Sequence, residues 1–144
     1  MAEDLRPSEL LRTLMRQHAD IRSLLEGCER LAGAGASDEL DRCMFELAAT
    51  VEAHNRVEER LLPRALGEAD AFGDERIDRM VKSHRAEHAA MVASLRSPRQ
   101  VRAGPGFISA LAGELRRHMD TEERLFLNAR VLRDDVVAID GFGG

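Results

Sequence analysis

The sequence predicts an all-α protein, a bundle of four helices that run up-down-up-down. The chain has 144 residues, enough to bury a single hydrophobic core, so one domain is expected. It has no tryptophan or tyrosine and only five phenylalanines, a composition that favours a leucine- and alanine-rich helical protein. Apolar residues recur at helical spacing in four segments, and connections of about 5 to 12 residues make consecutive helices antiparallel neighbours.

The first two predicted helices flank a glycine-containing turn. Helix one begins at Pro7, and its apolar residues keep helical spacing as far as Leu31. The turn at residues 33–35, Gly-Ala-Gly, ends it. Ser37 is a suitable N-cap residue before an acidic first turn, and we expect helix two to stop near Pro63.

Glycine and proline also bound the other two predicted helices. Helix three opens at Gly73-Asp74 and closes at Ser97-Pro98. After the Gly-Pro-Gly sequence at residues 104–106, the apolar pattern predicts a long fourth helix over residues 107–131.

We assign residues 1–135 to the helical domain and residues 136–144 to a C-terminal tail. The tail is apolar and then glycine-rich, so it is expected to leave the helix and lie frayed on the surface. Docking of this peptide into the groove of a protein partner is the weaker alternative.

Charge and hydropathy exclude several classes of function. The net charge is −5, and basic and acidic residues alternate, so nucleic acid is not an expected partner. No apolar run approaches the roughly 18 residues that span a bilayer, and the acidic N-terminus lacks an apolar signal core. We therefore expect no membrane association and a cytoplasmic location.

The two cysteines do not suggest a disulfide framework. Cys28 and Cys43 lie almost symmetrically about the turn at residues 33–35, so they could face each other across an antiparallel hairpin. Cytosolic thiols are normally kept reduced, and buried cysteine behaves as a small hydrophobic residue. We expect two buried, reduced thiols.

The histidines carry the chemical signal. Four of the five fall into three pairs with a metal-capable residue four positions away: His54 with Glu58, His84 with His88, and His118 with Glu122. Residues four apart share one helical face, with Cβ atoms about 5 to 6 Å apart. The fifth, His18, lies on helix one beside apolar neighbours. Burying these seven residues without a metal would cost on the order of several kcal/mol, so they are predicted to form a metal site.

An internal repeat relates the two halves of the chain. Residues 54–62 match residues 118–126 at the histidine, two glutamates, an arginine and an apolar pair. Helices one and three then align through His18 and His88, which places Leu14 where the other half has His84. The repeat predicts two metal positions, one of them open beside an apolar side chain.

Four further residues are candidates for supporting roles. Glu59 and Glu123 follow the paired glutamates and are expected to turn toward solvent or toward an outer hydrogen-bond partner. Leu14 and Leu115 are candidates for the apolar wall of a small-molecule pocket, although core packing alone would explain both.

Imidazole combined with shared carboxylate suits iron, and also zinc or manganese. Structural zinc usually takes four closed ligands, and ferritin-like bundles use Glu-x-x-His with more carboxylate than imidazole. Seven ligands are too many for a single closed zinc site, and five imidazoles with two carboxylates differ from the ferritin-like ratio. The residues therefore favour a site for two iron ions.

The order of motifs resembles the hemerythrin and HHE cation-binding family, over roughly residues 10 to 130. That resemblance implies a hemerythrin-like bundle with an oxo- or hydroxo-bridged di-iron centre. It assigns His84, His88 and His118 to one iron, His18 and His54 to the other, and Glu58 and Glu122 as bridges. Oxygen carriers typically end in HxxxxD, so the His118–Glu122 spacing puts oxygen carriage in doubt, not metal binding.

Three functional hypotheses follow. The leading one is a binding protein that holds a small diatomic ligand, O2 or NO, at an open iron. The second is a di-iron enzyme that consumes peroxide or nitric oxide, and the third is an iron or redox sensor that acts through a protein partner. No separate catalytic residue and no other cofactor is predicted.

Overall fold

The structure is a computed structural model that describes residues 5–68 and 74–134. Within these ranges it contains five helices and no strand: α1 (Pro7–Ala34), α2 (Ser37–Glu68), α3 (Asp74–Leu95), α4 (Arg99–Arg102) and α5 (Phe107–Leu125). The all-helical prediction is confirmed. The connection between α3 and α5 forms the additional four-residue α4, so the described residues contain four long helices and one short one. The predicted tail, 136–144, lies outside the described residues.

Neighbouring long helices run antiparallel. In α1 and α2, Gln17 contacts His54, whereas the later residue Cys28 contacts the earlier residue Cys43. The same crossed order joins α2 to α3 and α1 to α5, through Glu52–Arg96 with Glu59–His88 and through Arg22–Glu123 with Glu29–Arg116.

The connection between α1 and α2 is shorter than predicted. Gly35 adopts a left-handed conformation with φ of 70°, and its N–H donates to the carbonyl of Ala32. Only residues 35–36 separate the two helices. This tight hairpin brings the sulfur atoms of Cys28 and Cys43 to 2.9 Å, and both are free thiols.

The predicted stop at Pro63 is wrong, because α2 continues through this residue to Glu68. A proline inside a helix loses one backbone hydrogen bond and costs about 3 kcal/mol. Leu61, Leu62 and Leu66 on the same stretch are buried, and each buried leucine contributes about 1.5 to 3 kcal/mol. Burial therefore outweighs the local cost.

The last long helix ends earlier than the apolar pattern predicts, at Leu125 instead of Val131. Asn128 explains the end, because its side-chain amide donates to the carbonyl oxygens of Glu123 and Arg124 at 3.1 Å. Its side-chain oxygen also accepts from the backbone N–H of Arg130. The asparagine thus satisfies the terminal carbonyls and reverses the chain.

Two apolar clusters form the core, and in α1 and α2 they lie on either side of His18 and His54 along the sequence. The Leu25 cluster lies toward the α1–α2 turn and consists of Ile21, Leu25, Cys28, Met44, Leu47, Ala48, Val51, Leu95, Ile108, Leu111, Ala112, Leu115 and Met119. The Leu10 cluster consists of Leu10, Leu14, Leu61, Leu62, Ala65, Leu66, Phe126, Leu127 and Leu132. None of the helices in the described ranges combines the length with the apolar character that a membrane span requires.

Candidate metal centre

The four long helices bring all seven predicted ligands into one polar layer. The two carboxylates are almost completely inaccessible, with exposed fractions of 0% for Glu58 and 1% for Glu122. The histidines are buried as well, apart from His118, whose side chain is 14% exposed. A layer of this kind is costly unless its polar atoms find partners.

Six of the seven residues form two groups whose candidate ligand atoms lie close enough together to hold a metal ion, and both groups share the two carboxylates. One group is His18, His54, Glu58 and Glu122, and the other is Glu58, His88, His118 and Glu122. In each group the candidate ligand atoms lie within 4.8 Å of one another. The arrangement therefore offers two neighbouring cation positions with Glu58 and Glu122 between them.

His84 belongs to neither group of four, but it contacts both shared carboxylates. Its Nδ1 lies 3.1 Å from Oε1 of Glu58, and its Nε2 lies 3.5 Å from Oε2 of Glu122. Its ring stacks on that of His88 at 5.3 Å between centroids. His84 thus lies on the side of the centre that holds His88 and His118.

The polar atoms that face this centre lack hydrogen-bond partners. They are Nε2 of His18, His54, His88 and His118 and both carboxylate oxygens of Glu58 and Glu122. Nitrogen and oxygen approach closely, for example at 2.9 Å between His54 and Glu58, without hydrogen-bond geometry. Buried polar atoms are rarely left unpaired. A donor set of imidazole nitrogen and carboxylate oxygen fits iron, zinc or manganese.

The opposite nitrogen of two of these rings forms a hydrogen bond to a glutamate. Nδ1 of His18 lies 2.7 Å from Glu123, and Nδ1 of His88 lies 2.7 Å from Glu59. Of the two orientations expected for Glu59 and Glu123, solvent or a hydrogen-bond partner at the site, both side chains therefore adopt the second. Metal-binding histidines usually donate their other ring N–H in this way, because the bond fixes the tautomer and the ring orientation.

Two outer partners were missed by the sequence analysis. Oε1 of Gln17 lies 2.7 Å from Nδ1 of His54, and Oε2 of Glu87 lies 3.2 Å from Nδ1 of His118. Gln17 directly precedes His18, and Glu87 directly precedes His88. Because His18 and His88 are equivalent in the repeat, this shared position could have identified both residues from the sequence.

The titratable groups of the centre stabilise each other's charged forms. Burial lowers the pKa of His18, but the negative charge of the neighbouring Glu122 and Glu123 carboxylates outweighs it and raises the pKa above its ordinary value. Burial would raise the pKa of the Glu58 carboxyl, yet contacts with Glu122 and with the neighbouring imidazoles hold it well below its ordinary value. Glu58 is therefore available as an anionic ligand.

The two candidate wall residues lie in different apolar clusters. Leu14 is 0% exposed and belongs to the Leu10 cluster, whereas Leu115 is 2% exposed and belongs to the Leu25 cluster. Phe126 of the Leu10 cluster also packs edge-on against His84, with 5.3 Å between ring centroids. The Leu10 cluster thus extends to the polar layer.

Comparison with known proteins gives one finding. The family model of the hemerythrin HHE cation-binding domain matches residues 9–129, which include all seven predicted ligands. No curated protein and no solved structure matches the chain significantly.

Proposed function

Because this chain belongs to the hemerythrin HHE cation-binding family, we propose that it is a non-haem di-iron protein that binds O2 or NO at an open iron position. Family membership and the two His/Glu groups support cation binding. The proposal adds the number and identity of the ions, the diatomic ligand and an up-down-up-down order of the four long helices.

The observation that carries the proposal is the sharing of Glu58 and Glu122 by two groups of ligand atoms. Four histidine Nε2 atoms lack a hydrogen-bond partner, and each group contains only two of these histidines. A single metal ion would therefore leave the other two Nε2 atoms without a partner. Two ions use both groups, and shared carboxylates between paired ions are typical of two-metal sites. Two irons per chain therefore match the donors present.

We assign the ligands by the position of each side chain. His18 and His54 would hold one iron, and His88 and His118 would hold the other together with His84, whose contacts lie on that side. Iron, when bound, would supply reversible binding of a small diatomic molecule. The protein supplies neutral imidazole donors, two carboxylates and apolar packing above and below the layer, which limits access of water.

An open position is expected on the His18 side. The chain offers three imidazoles on one side and two on the other, because Leu14 occupies the place in α1 that His84 occupies in α3. The iron with fewer protein ligands retains room for an added small molecule. This difference favours a binding function.

The test is metal analysis followed by ligand titration. Protein from iron-replete expression should contain two irons per chain, and the anaerobically reduced form should show a reversible optical change on exposure to O2 or NO. Recovery of one metal per chain, or of zinc at full occupancy, contradicts the di-iron assignment. Steady consumption of peroxide or NO would replace the binding function with the enzymatic one.

A further inference from the structure

The outer hydrogen-bond partners obey the same repeat as the ligands. His18 and His88 are equivalent in the alignment of the two halves, and so are Glu59 and Glu123. The structure pairs Nδ1 of His18 with Glu123 and Nδ1 of His88 with Glu59, at 2.7 Å in both cases. Each half of the protein therefore supplies the carboxylate that orients a histidine of the other half.

A second pair of outer partners is equivalent in position but differs in charge. His54 and His118 are equivalent, and Gln17 and Glu87 each precede an aligned histidine. Gln17 lies at Nδ1 of His54, and Glu87 lies at Nδ1 of His118. At this one outer position, the repeat has a neutral amide in one half and a carboxylate in the other.

We propose that the exchange of amide for carboxylate at Gln17 and Glu87 makes the two metal positions unequal in affinity. This inference rests on the proposed function, because it requires two metal positions. A carboxylate placed beside a ring N–H makes the opposite ring nitrogen a stronger metal donor than a neutral amide in the same place does. His118 is therefore the stronger ligand and His54 the weaker one, and Gln17 and Glu87 are positioning residues that act through these rings.

The surroundings set the size of the effect. The Glu87 side chain is 52% exposed, and its other oxygen accepts a hydrogen bond from Ser83 at 3.3 Å. Solvent weakens an exposed charge, so the effect belongs at the lower end of the 10- to 100-fold range typical of outer partners, roughly tenfold. Gln17 is half-buried, and a carboxylate introduced there should act at least as strongly.

Both differences between the halves weaken the same metal position. The His18 and His54 side has Leu14 in place of a third imidazole and Gln17 in place of a carboxylate. The other side has His84 and Glu87. The position with fewer protein ligands thus also has the weaker imidazole, which leaves its metal more available to an added small molecule.

The test exchanges the two outer partners. Co2+ is titrated into the metal-free protein against a competing chelator, for the parent, Gln17→Glu, Glu87→Gln and the double variant. Gln100→Glu on α4 and Glu46→Gln on α2 are matched controls, because both side chains are exposed. We expect two binding constants in the parent. Glu87→Gln should weaken the tighter one roughly tenfold, Gln17→Glu should strengthen the weaker one roughly tenfold, and the double variant should do both.

A second readout needs no metal. Long-range 1H–15N spectra of the metal-free protein should show shifts of the His118 ring nitrogens in Glu87→Gln and of the His54 ring nitrogens in Gln17→Glu. Two bound Co2+ whose constants ignore these substitutions, or change together in one direction, overturn this inference alone. A single Co2+ in the parent overturns the two-metal proposal, and this inference with it.

Discussion

Nδ1 of His88 lies 2.7 Å from Oε2 of Glu59, the residue that directly follows Glu58 in α2. Glu58 points into the polar layer, whereas Glu59 lies about 100° further around the helix and contacts α3. Glu123 has the same relation to Glu122 and to His18. In each pair of consecutive glutamates, one side chain therefore points into the polar layer and the other contacts a histidine from outside it.

The first prediction concerns these outer carboxylates. Glu59→Ala and Glu123→Ala should each weaken metal binding about 10- to 100-fold, because His88 and His18 lose the partner that fixes their rings. Chelator competition measures the loss. Glu46→Ala, an exposed substitution in α2, should leave the affinity unchanged. If all three variants bind like the parent, the outer carboxylates do not support the ligands.

The second prediction concerns the coupling of metal to folding. The unpaired nitrogen and oxygen atoms of the polar layer gain partners when metal binds. Metal at about 100 times its dissociation constant should therefore increase the free energy of unfolding by about 2.7 kcal/mol and raise Tm by about 10 °C. His88→Ala and Glu58→Ala should lose most of this increase. Calorimetry with and without metal provides the measurement, and an unchanged increase in both variants would remove these residues from the ligand set.

The third prediction concerns the two thiols. Burial and contact with Cys43 raise the pKa of Cys28, whose exposed fraction is 1%, whereas Cys43 is half-buried. Because the thiolate is the reactive form, iodoacetamide should label Cys43 first and label Cys28 only on unfolding. Peptide mass spectrometry under reducing conditions distinguishes the sites. Faster labelling of Cys28 would contradict the packing of the hairpin.

The helical fold and the convergence of the candidate ligands could be predicted from the sequence, because both depend on periodicity. Spacing of four residues fixes a helical face, and this is why His54 and Glu58 face the centre together. The possibility that Cys28 and Cys43 face each other also follows from their symmetry about the turn, and the structure places their sulfur atoms together. The expectation that both thiols are buried holds for Cys28, whereas Cys43 is half-buried.

The features that the sequence did not predict depend on tertiary contacts. The continuation of α2 through Pro63 depends on the burial of leucines in the Leu10 cluster. Local helix propensity carries no information about this burial. In the sequence, Gln17 and Glu87 look like ordinary surface residues. Their contacts with His54 of α2 and His118 of α5 arise only when the helices pack. The four residues of α4 are too few to show a helical period.

The last prediction concerns Leu14, which is fully buried one turn before His18 and corresponds to His84 in the aligned repeat. Leu14→His should supply an imidazole to the open position, so two irons should remain while binding of O2, NO or azide falls. Leu10→His, one turn further from His18 and equally buried, introduces the same polar group without reaching the centre. Loss of azide binding in Leu14→His alone supports the open position, because a packing defect would affect both variants. If Leu14→His keeps two irons and binds azide as tightly as the parent, Leu14 does not border the open iron, and the asymmetry of the repeat does not set where the ligand binds.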